Sequence, residues 1–156
     1  MTMKYIYLLT IFSFCFLVES CKTHEPVTTA QVNYLGQSDG TITMRCVGVG
    51  DNREAISMNA EKNALNVLLF RGLPGSMQAT PMIDMTENEA KTKYPAYLEE
   101  LLEKGRYKTF IMSSVTTGEL SKADNGAKQA SIDIKVNVAS LRRDLENNNI
   151  IRKFGF

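Results

Sequence analysis

The chain has 156 residues, 44% hydrophobic and 22% charged, which is enough for one domain with a real core and too short for two. Its 18 lysines and arginines against 17 aspartates and glutamates leave a net charge of +1, with no acidic or basic tail. That balance gives no electrostatic argument for nucleic acid or an anionic surface as partner; the densest basic group, Arg142, Arg143, Arg152 and Lys153, reads as solvated surface.

The first twenty residues differ in kind from the rest. Lys4 supplies a positive charge, and Tyr5 to Val18 is an apolar run of about 14 residues, short of the roughly 20 needed to cross a bilayer and of the length of a signal-peptide core. The run ends in Val18-Glu19-Ser20-Cys21, which resembles the lipobox of bacterial lipoproteins, with Cys21 as the first mature residue and the site of lipidation. Lys22, not aspartate, follows it, and by resemblance to enterobacterial sorting this implies the outer membrane, facing the periplasm. The expected organisation is a signal peptide over 1–20, a tether over 21–38 opened by Pro26, and a single domain over 39–156. Cys15 leaves with the leader and Cys21 carries lipid, so Cys46 is the one mature thiol and no internal disulfide is available.

In the domain, Thr41 to Gly50 alternates, with Ile42, Met44, Cys46 and Gly48 on one face, and reads as a strand. A helix is predicted over about 52–70, opened by a capping box from Asp51 to Glu54 and closed by Gly72 and Pro74. Residues 73–85 form a loop with two prolines and three methionines. Thr86 and Glu89 have the spacing of a second capping box, and the Glu87–Lys91 and Glu89–Lys93 pairs support an exposed helix that Pro95 ends or kinks. Pro95 to Lys104 then reads as a further helix with Leu98, Leu101 and Leu102 inward. Arg106 to Leu120 is predicted as a strand, Asn125-Gly126 as a hairpin turn, and Lys128 to Ser140 as a strand with Ala130, Ile132, Ile134, Val136 and Val138 on its dry face. Ser140 is placed as the cap of a last short helix with Leu141 and Leu145 inward, and Ile150 to Phe156 as an edge strand or packed arm. The order predicts an α+β fold of two layers, a mostly antiparallel sheet with the long helix packed on one face.

Gly48-Val49-Gly50 at a strand-to-helix junction opens as phosphate-binding loops do. Three observations oppose a nucleotide. Arg53 stands where G-x-G-x-x-G needs its third glycine, the carboxylates of Asp51 and Glu54 occupy the helix start that a phosphate would use, and an exported protein meets little nucleotide. The glycines then serve close approach of strand and helix. The same stretch, Gly48, Gly50, Ala55, Ala60 and Ala64, together with the alternating strand 130–138 leading into Ser140-Leu-Arg-Arg-Asp-Leu-Glu146, resembles the small twenty-kilodalton-type lipoprotein family of Gram-negative bacteria and is similar to the N-terminal domain of flagellar assembly protein T. The resemblance implies an envelope accessory or assembly protein; some such lipoproteins accompany curli-type secretion channels.

Catalytic chemistry finds little support. The sole histidine, His24, lies in the tether, so neither Cys46 nor Ser113 and Ser114 has a histidine to activate it, and no metal-ligand cluster forms. Glu99, Glu100 and Glu103 read as a solvated helix face, and Asp133 stands alone on the wet face of its strand. The expectation is therefore a protein that is not an enzyme and carries no cofactor, bound to the membrane through lipid at Cys21. It would be an accessory, assembly or scaffold component of a secretion or surface structure, with an envelope protein as partner and no nucleic acid or nucleotide. The alternative is a lipoprotein that binds a small ligand or glycan; it is weakened by the absence of tryptophan, with Tyr94, Tyr97 and Tyr107 as its candidate platforms. Met77, Met82 and Met85, flexible apolar residues in a loop without period, are the candidate partner-binding residues within the 73–104 insertion; the other placement open to them is the edge of the core.

Overall fold

The computed structural model describes residues 31–123 and 126–153. Among them the chain is an α+β fold built on an antiparallel sheet of five strands. Strand β1 (Val32–Ser38) pairs with β2 (Thr41–Gly50), β2 with β5 (Lys128–Asn137), and β5 along its other side with β3 (Ile111–Thr116) and the short β4 (Ser121–Lys122). The long helix α1 (Arg53–Phe70) packs on one face. Between α1 and β3 come α2 (Glu87–Lys93), α3 (Pro95–Leu98), a wide turn of π-helix (Glu99–Glu103) and a 3₁₀ segment (Arg106–Phe110). Helix α4 (Val138–Asn147) follows β5 directly.

The core follows from strand alternation. Ile42, Met44 and Cys46 pair with Val136, Ile134 and Ile132, and all six side chains are buried beneath α1. The helix is closed in on most of its circumference: Ile56, Ala60, Ala64, Leu65, Leu68 and Leu69 are all at most 1% exposed. Strand and helix come this near because of Gly48. A Cβ there would overlap the carbonyl oxygen of Ile56 and lie 3.0 Å from the Cβ of Ala60, while one on Gly50 would lie 2.8 Å from the Cβ of Ala55. The glycines thus act as the sequence reading has it, as sites of close packing. Two asparagines of α1 complete the junction. The N–H of Val49 donates to Asn59 Oδ1 at 3.0 Å, and Asn63 reaches the carbonyl of Val47 at 3.5 Å, serving backbone groups of β2 beyond the point where β1 begins.

Four expectations need correcting. The expected tether does not extend to residue 38: Val32–Ser38 is strand β1, turned into β2 by Asp39 and Gly40, both with positive φ. Such an Asp-Gly pair is itself a hairpin signal. The α1 cap is Asn52, whose Oδ1 accepts from the N–H of Ala55 at 2.9 Å, so the expected Asp51–Glu54 box is out by one residue. Asn137, not Ser140, caps α4, and Val138 therefore opens that helix. The strand expected over 106–120 starts at Ile111, because Gly105 (φ 83) reverses the chain into a 3₁₀ segment that turns Tyr107 and Phe110, three residues apart, into the core together. The Thr86–Glu89 capping box is present as read, with the Thr86 N–H donating to Glu89 at 2.8 Å. Asn125 lies outside the described residues; Gly126 has the positive φ that a turn requires.

Candidate functional site

The loop after α1 is held by what a helix end lacks. The last turn of a helix leaves carbonyls without intrahelical donors. The N–H groups of Arg71 and Gly72 both donate to Val67 O, at 3.0 and 2.7 Å, and those of Met82 and Ile83 donate to Leu68 O and Leu69 O, at 3.0 and 2.9 Å. These bonds draw the far limb of the loop onto the helix. Ile83 is fully buried and Met82 is 6% exposed, whereas Met77, at the loop tip, is 50% exposed and its N–H donates to Gln37 Oε1 at 2.6 Å. Met85 is half-buried against the core. Met77, Met82 and Met85 therefore do not form one exposed surface: Met82 belongs to the core, and the expectation of a shared contact patch is corrected.

Below this loop opens a cleft of about 740 Å³. Met82, Asp84 and Met85 form one wall, Lys93 and Tyr94 at the end of α2 another, Arg142 of α4 a third, and residues 149–153 the fourth. The last wall is set by how α4 stops. The Ile150 N–H donates to Leu145 O at 2.9 Å and the Asn149 N–H to Glu146 O at 3.1 Å, with Asn149 left-handed at φ 56, a Schellman termination. Buried Ile150 pins the turn, and the chain beyond it carries Arg152 and Lys153 along the cleft. Arg142 is oriented from behind, its Nη2 donating to Gln78 Oε1 at 2.9 Å, and Gln78 is itself buried. Lys93 Nζ stands 5.2 Å from the Tyr94 ring centre. The lining thus gathers four cationic side chains and one carboxylate, a formal surplus of +3 where the whole chain has +1. Three of the four residues that read as solvated surface, Arg142, Arg152 and Lys153, share this cleft; Arg143 does not line it.

The second feature is the sheet edge at β3. Met112 and Val115 are each 56% exposed and Leu120, in the connection to β4, is 44% exposed. The six residues of β3 carry neither charge nor proline, the devices by which edge strands usually avoid further pairing. The β1 edge is neutral too, but there the loop tip reaches across to Gln37.

Other residues singled out in the sequence have structural duties. Cys46 is fully buried, and burial pushes its thiol up to about 12, the wrong direction for a nucleophile. Asp133 is not alone: Arg45 Nε and Nη2 donate to its two oxygens at 2.7 and 2.9 Å, which holds its carboxyl below the usual range. Tyr97 donates to Asp144 at 2.7 Å beside Arg106, which donates to the same carboxylate at 2.8 Å, so burial and then Asp144 raise the Tyr97 hydroxyl. Tyr107 is 1% exposed and cannot serve as a ligand platform; Tyr94 alone of the three tyrosines lines the cleft. Ser114 meets Ser57 at 3.2 Å, and Glu99, Glu100 and Glu103 pair with Lys104 or Lys62. Cys21, Lys22, His24 and the apolar run from Tyr5 to Val18 lie outside the described residues. Among the described residues no helix is long and apolar enough to cross a membrane, and no three histidine, cysteine or carboxylate side chains are grouped to hold a metal ion.

No family model, curated protein or solved structure matches this chain.

Proposed function

We propose that the protein is a lipoprotein of the bacterial cell envelope, tethered through Cys21, that acts without catalysis as an accessory or assembly component by accepting a segment of an envelope partner along β3. The anchor rests on Lys4, the short apolar run and Val18-Glu19-Ser20-Cys21. The observation that carries the assembly role is the uncharged β3 edge with Met112, Val115 and Leu120 exposed beside it. Free backbone groups of an edge strand recruit an extended segment by hydrogen bonding, and neighbouring apolar side chains add selectivity. The alternative, a lipoprotein that binds a small ligand or glycan, draws its support from the cleft.

Two measurements in cells making the full chain test the proposal. Cys21→Ser is expected to leave an unprocessed precursor that takes up no fatty-acid analogue; normal processing and labelling would refute the anchor. A photo-crosslinking residue at Val115 is expected to capture a discrete envelope protein that the same residue at Arg143, exposed on α4, does not. Equal capture at both positions, or none at Val115, would remove β3 as the contact.

A further inference from the structure

We propose that the cleft between the loop 82–85, the end of α2 and the chain after α4 is a binding site for a phosphate-bearing ligand. The inference stands on the cleft alone and needs neither the lipid at Cys21 nor a partner at β3, so it survives or fails apart from them.

Charge comes first. Lys93, Arg142, Arg152 and Lys153 converge from three separate segments, and Asp84 is the single carboxylate among the lining residues. No ion pair within 4.0 Å joins a carboxylate to Lys93, Arg152 or Lys153 among the described residues. Several cations outside the cleft do have a carboxylate beside them: Lys91 has Glu87 on the same helix, Lys104 has Glu100, Arg106 has Asp144 and Arg45 has Asp133. Like charges brought close together repel one another, and a bound anion relieves that repulsion.

The second argument is construction. Arg142 is held by buried Gln78, and Arg152 and Lys153 are brought round by a helix termination with a non-glycine left-handed residue, so three of the four cations depend on defined backbone or side-chain bonds for their place. Arginine forks match the oxygen pairs of phosphate, and lysine adds point charge. A surplus of three charges suits a dianionic phosphate better than one carboxylate. The third argument is the floor. Met82 and Ile150 are buried and Met85 is half-buried, so charges at the rim act beside low-dielectric material, where their attraction for an anion is less screened. The volume of about 740 Å³ admits more than the phosphate itself, and the apolar floor suits a ligand whose phosphate is joined to a carbon body. A phospholipid headgroup and a soluble phosphate ester share this chemistry.

The test uses the full chain purified in a neutral detergent. Calorimetric titration with pyrophosphate probes a soluble phosphate, and mixed micelles containing phosphatidylglycerol, against phosphatidylcholine, probe a headgroup. The exposed pair Lys93→Glu with Arg152→Glu is expected to weaken binding at least about tenfold. Arg143→Glu with Lys128→Glu, an equal charge change outside the cleft, is expected to change it less than about twofold. Cleft-dependent binding of pyrophosphate assigns a soluble ligand, and cleft-dependent binding confined to phosphatidylglycerol assigns a headgroup; either supports the site. Absence of saturable binding to both probes, or equal weakening by the two double variants with unchanged melting temperatures, overturns it.

Discussion

The two ends of α1 solve opposite problems. At its N-terminal end strand and helix meet so closely that Gly48 and Gly50 leave no room for a Cβ, and Asn52 takes up the Ala55 N–H. At its C-terminal end the helix carbonyls take up the loop limb at Met82 and Ile83, and that limb, the end of α2, α4 and the chain after α4 surround a cleft. The end with glycine spacing suggestive of a phosphate is closed packing, while the end whose basic residues read as plain surface carries the cationic opening. Residue types that suggest a ligand identify one only when the fold leaves space beside them.

The sharpest way to break this contrast is Gly48→Ala. Its new methyl meets backbone, which cannot rotate aside, so the loss of stability is expected to exceed about 3 kcal/mol, beyond ordinary overpacking. Denaturant unfolding of the full chain measures it, and a variant as stable as the parent would mean that strand and helix are not in such contact. At the other end, Met82→Gln should cost about 2–3 kcal/mol by placing an amide in the core, whereas Met77→Gln should stay within about 0.5 kcal/mol. Equal effects in thermal melts would contradict the division of the loop into anchored limb and exposed tip. The smallest difference separates two neighbours at the helix start: Asn52→Ala should cost about 1 kcal/mol and Asp51→Ala less than about 0.5 kcal/mol, with the reverse order restoring Asp51 as the cap.

The parts legible in the sequence are those where one local rule acts unopposed. Alternation at Ile42, Met44 and Cys46 and at Ile132, Ile134 and Val136 gives the central strand pair, and the Thr86–Glu89 spacing gives a cap that forms as written. Competing signals hide the rest. Val32–Ser38 mixes Val32, Tyr34 and Leu35 with polar residues and glycine and follows a linker-like stretch, so its strand depends on pairing with β2 and on the Asp39-Gly40 turn more than on its own composition. Tyr107 and Phe110 look like strand residues until Gly105 sets the chain turning. The cleft was least legible, because Lys93 and Arg152 are far apart in the chain and meet only through tertiary structure. The nearest signal was the basic group at 142–153 close to Asn148-Asn149, residues suited to a left-handed helix stop.

The order of strands has a mechanical consequence. The chain that leads from the N-terminal segment enters the sheet at β1, one outer strand, while β3 lies at the opposite side with β2 and β5 between them. If, as proposed, lipid holds the chain before β1 and a partner binds along β3, tension between membrane and partner would cross three successive ladders of hydrogen bonds. Set in series, each ladder would carry the whole pull, and the outer edge of β2 past Cys46 is held by Asn59 and Asn63 of α1.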